Sequence, residues 1–192
     1  MEPQRISVKF AFVPPVNVPH ASFILFFHRV IQDKLLPETL IDVADYSHVH
    51  NGPSVLLIGH EAHYSIDATN GQIGLKCAVK RGLTGSLDER IRRTFDKTLH
   101  LANLLTKHES LAGGIQVNTK SAWFSIEDRL AAPNTDLTFS HVAPVLASVA
   151  TRYWGSQPVL SRLGTAKETF QVDISGADGS ECRAPTRTLR LV

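Results

Sequence analysis

Residues 54–80 read SVLLIGHEAHYSIDATNGQIGLKCAVK. Two alternating segments flank Asn70-Gly71, the strongest turn signal in the chain, because a type I′ turn needs positive φ at both central positions. The spacing predicts one long strand over 54–67, with Leu56, Ile58, His60, Ala62, Tyr64 and Ile66 on its apolar side. A return strand over 72–80 turns Ile73, Leu75, Cys77 and Val79 inward and Lys76 and Lys80 outward. An antiparallel hairpin is therefore the nucleus of the fold.

Outward from it, residues 6–13 alternate as a half-buried strand, with Ile6, Val8, Phe10 and Phe12 on one side and Ser7, Lys9 and Ala11 on the other. Residues 21–34 carry Phe23, Ile24, Phe27, Val30 and Ile31 at helical spacing. A short strand is expected over 40–46. After a linker at 82–85, Ser86-Leu87-Asp88-Glu89 has the form of a capping box, so a long helix should run to about residue 108. Residues 115–119 and 121–127 read as strands, and 135–154 as helix. Pro144 costs a helix interior about 3 kcal/mol, so a kink or a new helix is expected there. Residues 158–163 and 168–174 close the pattern.

The order is β α β β β α β β α β β, with antiparallel neighbours rather than strict βαβ alternation. It predicts an α+β fold, a mixed or largely antiparallel sheet with about three helices packed on one face. The domain would span 1–175, leaving 176–192 as a flexible tail with Gly, Ser, Pro and arginines.

A chain of 192 residues with 43% hydrophobic and 20% charged residues can bury one sizeable core. A net charge of +2 gives no push toward nucleic acid or an anionic membrane. The residues at 90, 92, 93 and 97 are basic, but Asp88, Glu89 and Asp96 dilute them into a solvated helix face. The most apolar stretch, 21–31, is too short to cross a bilayer. The N-terminal MEPQR lacks the features of a signal peptide. Two distant cysteines, Cys77 and Cys182, fit a reducing compartment. A cytoplasmic protein is the expectation.

Three of the nine histidines, at 48, 50 and 60, stand with Asp42, Asp45 and Glu61 in residues 42–61, and His63 follows closely, so this region holds the densest group of ionisable side chains. His60, Glu61 and Asp45 are the catalytic candidates, because a histidine beside carboxylates can move protons. Asp42 and His48 would line the same site. A metal would suit imidazole and carboxylate ligands, yet His60 and His63 fall on opposite faces of a regular strand, and H-E-x-H lacks the metalloprotease spacing. The sequence does not identify a cofactor.

Arg129 and Asn134 lie in EDRLAAPNT, residues 127–135, which joins a strand to a helix N-terminus. They are the ligand-binding candidates, with Arg129 suited to a small anionic ligand. The same residues allow a structural reading in which Glu127 and Asp128 pair with Arg129 and Asn134 or Thr135 caps the helix. There is no P-loop, G-x-G-x-x-G, C-x-x-C or G-x-S-x-G, so no motif fixes a reaction. The alternative is a non-enzymatic interaction or homo-oligomerising module offering the hairpin around Asn70-Gly71 as an edge.

The segments FHRVIQ (27–32), LIDVADYSHV (40–49), GP (52–53), LIGHEA (57–62) and DRLAAPNT (128–135) together resemble a family of bacterial single-domain proteins of unknown function. The resemblance spans about residues 9–174. It implies an acidic or amide residue where His63 stands, and favours Asp45, His48, His60, Glu61 and Arg129 as site residues.

Overall fold

In the computed structural model, residues 3–80, 84–111 and 113–184 are described. The predicted linker lies partly, and the tail beyond residue 184 wholly, outside them. The elements run β1 (Ile6–Ala11), α1 (His20–Gln32), β2 (Leu40–Asp45), β3 (Pro53–Gly59), β4 (Ala62–Asp67), β5 (Gly74–Val79), α2 (Leu87–Lys107), β6 (Ser121–Ile126), α3 (Asp136–Trp154), β7 (Val159–Leu163) and β8 (Phe170–Ser175). Among the described residues eight strands form one sheet in the order β2-β3-β4-β5-β1-β6-β8-β7. Every neighbouring pair is antiparallel. The fold is α+β, as the alternation predicts.

The period of two sorts the side chains. Val8 and Phe10 of β1, Leu75 and Cys77 of β5, Phe124 of β6 and Val172 of β8 are buried beneath the helices. α2 crosses β1 and β5, α3 packs on α2, and α1 covers β2. Phe95 of α2 meets Phe10 edge-on at 6.3 Å and stacks on Tyr153 of α3 at 4.9 Å. Phe12 and Phe23 stack at 6.2 Å beside α1. Each such buried ring contributes about 1.5–3 kcal/mol. The capping box forms as read: Glu89 N–H donates to Ser86 Oγ, and Ser86 N–H to the Glu89 carboxylate.

Five details differ from expectation. The long strand over 54–67 is two strands joined at His60-Glu61. Gly59 makes that reversal possible, since a Cβ there would meet Glu38 Oε2 at 2.5 Å and the Ala62 carbonyl at 2.7 Å. The turn also shifts the alternation. β4 buries Ala62, Tyr64 and Ile66 as expected, but β3 buries Val55 and Leu57, not Leu56 and Ile58.

Second, β4 and β5 are interior strands, so the hairpin offers no edge; β2 and β7 do. Third, residues 115–119 contribute only a bridge between Val117 and Phe12. Fourth, α3 continues through Pro144. Pro144 and Ser140 are both exposed, so water can satisfy the carbonyl that loses its N–H partner. Fifth, the expected tail starts docked. Gly176 N–H bonds to the Lys120 carbonyl, Cys182 N–H to that of Thr119, and Arg183 N–H to that of Tyr153.

Candidate functional site

The cluster predicted at 42–61 comes apart in three dimensions. Asp45 pairs in register with Val55, and Leu40 with Gly59. Asp45 and the His60-Glu61 turn therefore lie at opposite ends of the β2–β3 pair, roughly 16 Å apart at ~3.3 Å per residue. At one end, Asp45 accepts from the Ser47 N–H at 2.9 Å and lies 3.0 Å from His20 Nε2. The Ser47 N–H first, and then His20, hold the exposed Asp45 carboxyl down at about 2. Asp42 accepts from the Val43 N–H at 2.8 Å, beside the register shift in β2. His48 is exposed next to Tyr46.

At the other end His60 is exposed and does not enter the core; its N–H donates to the Thr39 carbonyl. Glu61 pairs with Lys97 at 3.0 Å. Lys97 also holds Glu38 at 2.7 Å. The Glu38 carboxylate is fully enclosed: it accepts from Tyr64 Oη, from Lys97 and from the N–H groups of Glu61 and Ala62. Burial works to raise the Glu38 carboxyl, but Lys97 and Tyr64 outweigh it and hold it below its ordinary value. Glu38 is thus the anchor of the β3–β4 turn, a role sequence reasoning missed. Its carboxylate fills both free turn donors, and the absent side chain at Gly59 leaves room for it.

Asn134 is buried, and its amide donates to the Leu163 carbonyl at 2.8 Å while its Oδ1 accepts from Arg162 at 3.1 Å. It clamps the start of α3 to β7. Thr135 is the cap, accepting from the Thr138 N–H. Among the described residues, no three His, Cys, Asp or Glu side chains group closely enough to hold a metal ion.

The sheet face opposite the helices has a different character. Among the described residues no helix covers it, yet Ser7, Lys9, Ser65 and Asp67 are only 2–6% exposed. They lie at the bottom of a trough across β4, β5, β1 and β6. Lys9 Nζ lies 2.8 Å from Asp67 Oδ1, donates to the Thr69 carbonyl at 3.0 Å and sits 5.2 Å over the Trp123 ring. Lys76 lies 2.9 Å from Glu127, which also accepts from Ser7 Oγ at 2.8 Å. Burial would lift the Asp67 and Glu127 carboxyls; Lys9 on the one and Lys76 on the other bring both below the ordinary range. For Lys9 burial wins, and the ammonium lies below its usual value despite Asp67.

Two adjoining depressions share Asp67, Lys76 and Glu127. One, of about 630 Å³, reaches Arg5, His63 and Lys80; the other, of about 640 Å³, reaches Trp123, Gln171, Glu168 and Arg129. Arg129 is the one predicted site residue that lines the trough. Lys9, Lys76 and Asp67 escape the sequence reading because they are simply outward positions of their strands, and His63 enters it only as a metal ligand beside His60. The available signal was the run of lysines and carboxylates on facing polar positions of neighbouring strands, legible only once strand order is known.

Neither a protein-family model nor a curated protein matches the chain. Among the described residues no helix is long and apolar enough to cross a membrane.

Proposed function

We propose that the protein binds a small polar ligand bearing an anionic group in the trough on the open face of the sheet. The supporting observation is the buried Lys9–Asp67 pair with the adjoining Lys76–Glu127 pair. Desolvating two charges costs as much as, or more than, their attraction returns, so apolar residues would serve the fold as well or better. Buried, paired and hydrogen-bonded polar groups in a concave surface are the ordinary makings of a recognition site.

Binding fits better than proton transfer. Asp67 and Glu127 are held below the ordinary carboxylate range, so neither is poised to take up a proton near neutrality. Two buried free cysteines fit a cytoplasmic setting. The test uses Trp123, which lines the trough, in a Trp154→Phe background. A saturable change in its fluorescence with a small carboxylate or phosphate is the expected result. A flat response across such a panel, with thermal stability unmoved, overturns the reading.

A second reading, self-association, draws on the edge strands. Ile41 on β2 is 59% exposed and Val159 on β7 is 56% exposed, and each edge can pair with another copy. A monomer by light scattering at all accessible concentrations would remove it.

A further inference from the structure

One end of the trough carries an arrangement that the ion pairs on its floor do not explain. His63 projects from β4 between Ile58 of β3 and Ala78 of β5. Its Nδ1 is buried and has no hydrogen-bond partner. His63 lines the depression with Arg5, Leu56, Lys76 and Lys80, so Nε2 is the ring nitrogen left to serve a ligand there. A charged imidazolium would need acceptors for N–H groups at both nitrogens. With none at Nδ1, the charged form is disfavoured, and a neutral ring with its hydrogen at Nε2 leaves no buried N–H without an acceptor.

The surroundings act the same way. Burial first, then Lys80 and Arg5, hold the ring below the usual histidine value, and Glu38 opposes them only in part. Asp67 and Glu127 also border the depression, but Lys9 and Lys76 already engage them. Lys80 is fixed by a 2.6 Å hydrogen bond from Nζ to the Gly59 carbonyl, which leaves it further N–H groups to offer. Among the described residues no carboxylate comes within ion-pair distance of Arg5 or Lys80, although Arg5 also acts on Glu127 from further off. Surplus positive charge and a neutral donor therefore converge on one concave volume.

We propose that this corner seats the oxyanion of the ligand, a carboxylate or a phosphate, between Arg5 and Lys80 with His63 Nε2–H as a neutral donor. The proposal rests on the ligand reading above. A neutral donor makes a sharp demand on pH behaviour. The affinity for an anion of constant charge must stay flat through the histidine range, whereas a titrating histidine would make it rise as pH falls.

The test is isothermal titration of the full chain with sulfate, inorganic phosphate and succinate. Sulfate, whose charge is constant, serves for a series from about pH 6 to pH 8. At least one probe should bind, about tenfold more weakly in Lys80→Ala and in His63→Phe. His63→Gln, which keeps an amide N–H donor, should stay within about threefold of the parent. Preference for sulfate and phosphate identifies a phosphate ligand, and preference for succinate a carboxylate; either supports the seat. Lys80→Ala carries the test if His63→Phe does not fold.

The seat is overturned if no probe binds, if the variants bind as the parent does, or if sulfate affinity climbs steadily toward low pH. Trp123 fluorescence keeps the two proposals apart. A ligand that moves Trp123 without depending on His63 or Lys80 sinks the seat and leaves the trough reading standing. Anion binding at the corner with Trp123 silent to every ligand does the reverse.

Discussion

Along β1, Val8 and Phe10 pack beneath α2, while Ser7 and Lys9 point the other way and are buried almost as completely. The two faces bury their residues by different means. The helix side excludes water with rings and aliphatic chains, and its energy follows apolar area. The open side buries charges against each other, and its energy depends on matching partners. Equal burial therefore does not mean equal contribution to the fold.

Substitution breaks the comparison most sharply on the helix side. Phe10→Ala should cost about 3–5 kcal/mol in urea denaturation, with no partner change able to rescue it. Lys9→Met should cost a comparable amount, about 3 kcal/mol, because Asp67 is left buried and unpaired. Adding Asp67→Leu should recover most of that loss. If the double variant stays as unstable as the single, the pair serves the fold and the contrast between the faces collapses.

Acid should act on the polar groups before the apolar ones. The Asp67, Glu127 and Glu38 carboxyls lie below their unfolded values. Their contribution is full above the unfolded pKa, near 4, and is lost as pH falls through the lower folded values. A stability profile from neutral pH into acid should fall off below about pH 4. The Lys9→Met/Asp67→Leu protein should fall less steeply.

Asp173 runs the other way. Burial raises its carboxyl, and a hydrogen bond from Trp123 offsets this only in part. The folded state then holds this proton more tightly than the unfolded chain, so stability is lost as pH rises from the unfolded value through the raised one. Asp173→Asn should raise the thermal midpoint at neutral pH, a gain below about 1 kcal/mol. The smallest effect belongs to His60→Ala on the exposed turn. It should change stability within about 0.5 kcal/mol and leave ligand binding alone, in contrast to His63→Phe.

Much of the fold was legible in the chain. Periods of two and of 3.6 located three helices and nearly all the strands, and Ser86 and Glu89 marked the start of α2. The turn at His60-Glu61 was hidden because neither residue is a turn former. What permits the reversal is Gly59 together with Glu38, more than twenty residues earlier. That hidden turn also undid the predicted site, since a single strand through 54–67 would have kept His60 among buried neighbours. The trough was illegible for another reason. Alternation tells which residues leave the core side, but whether they meet water or a concave wall depends on the curvature of several strands together. Lys9 and Lys76 look alike in sequence, yet Lys9 is nearly enclosed and Lys76 is not.

The position of β1 bears on how the chain is made. The strands β2 to β5 form consecutive hairpins, complete once residue 79 has been synthesised. β1 is first in sequence but pairs in the middle of the sheet, with partners roughly 70 and 120 residues downstream on β5 and β6, and such distant pairings form slowly. During synthesis the free edge of β5 can pair with β1 at once, but the other edge of β1 stays open until Ile126 has emerged. The ribosome thus presents an unfinished sheet with an apolar face and a central strand open along one edge, a state in which mispairing with another chain competes with folding.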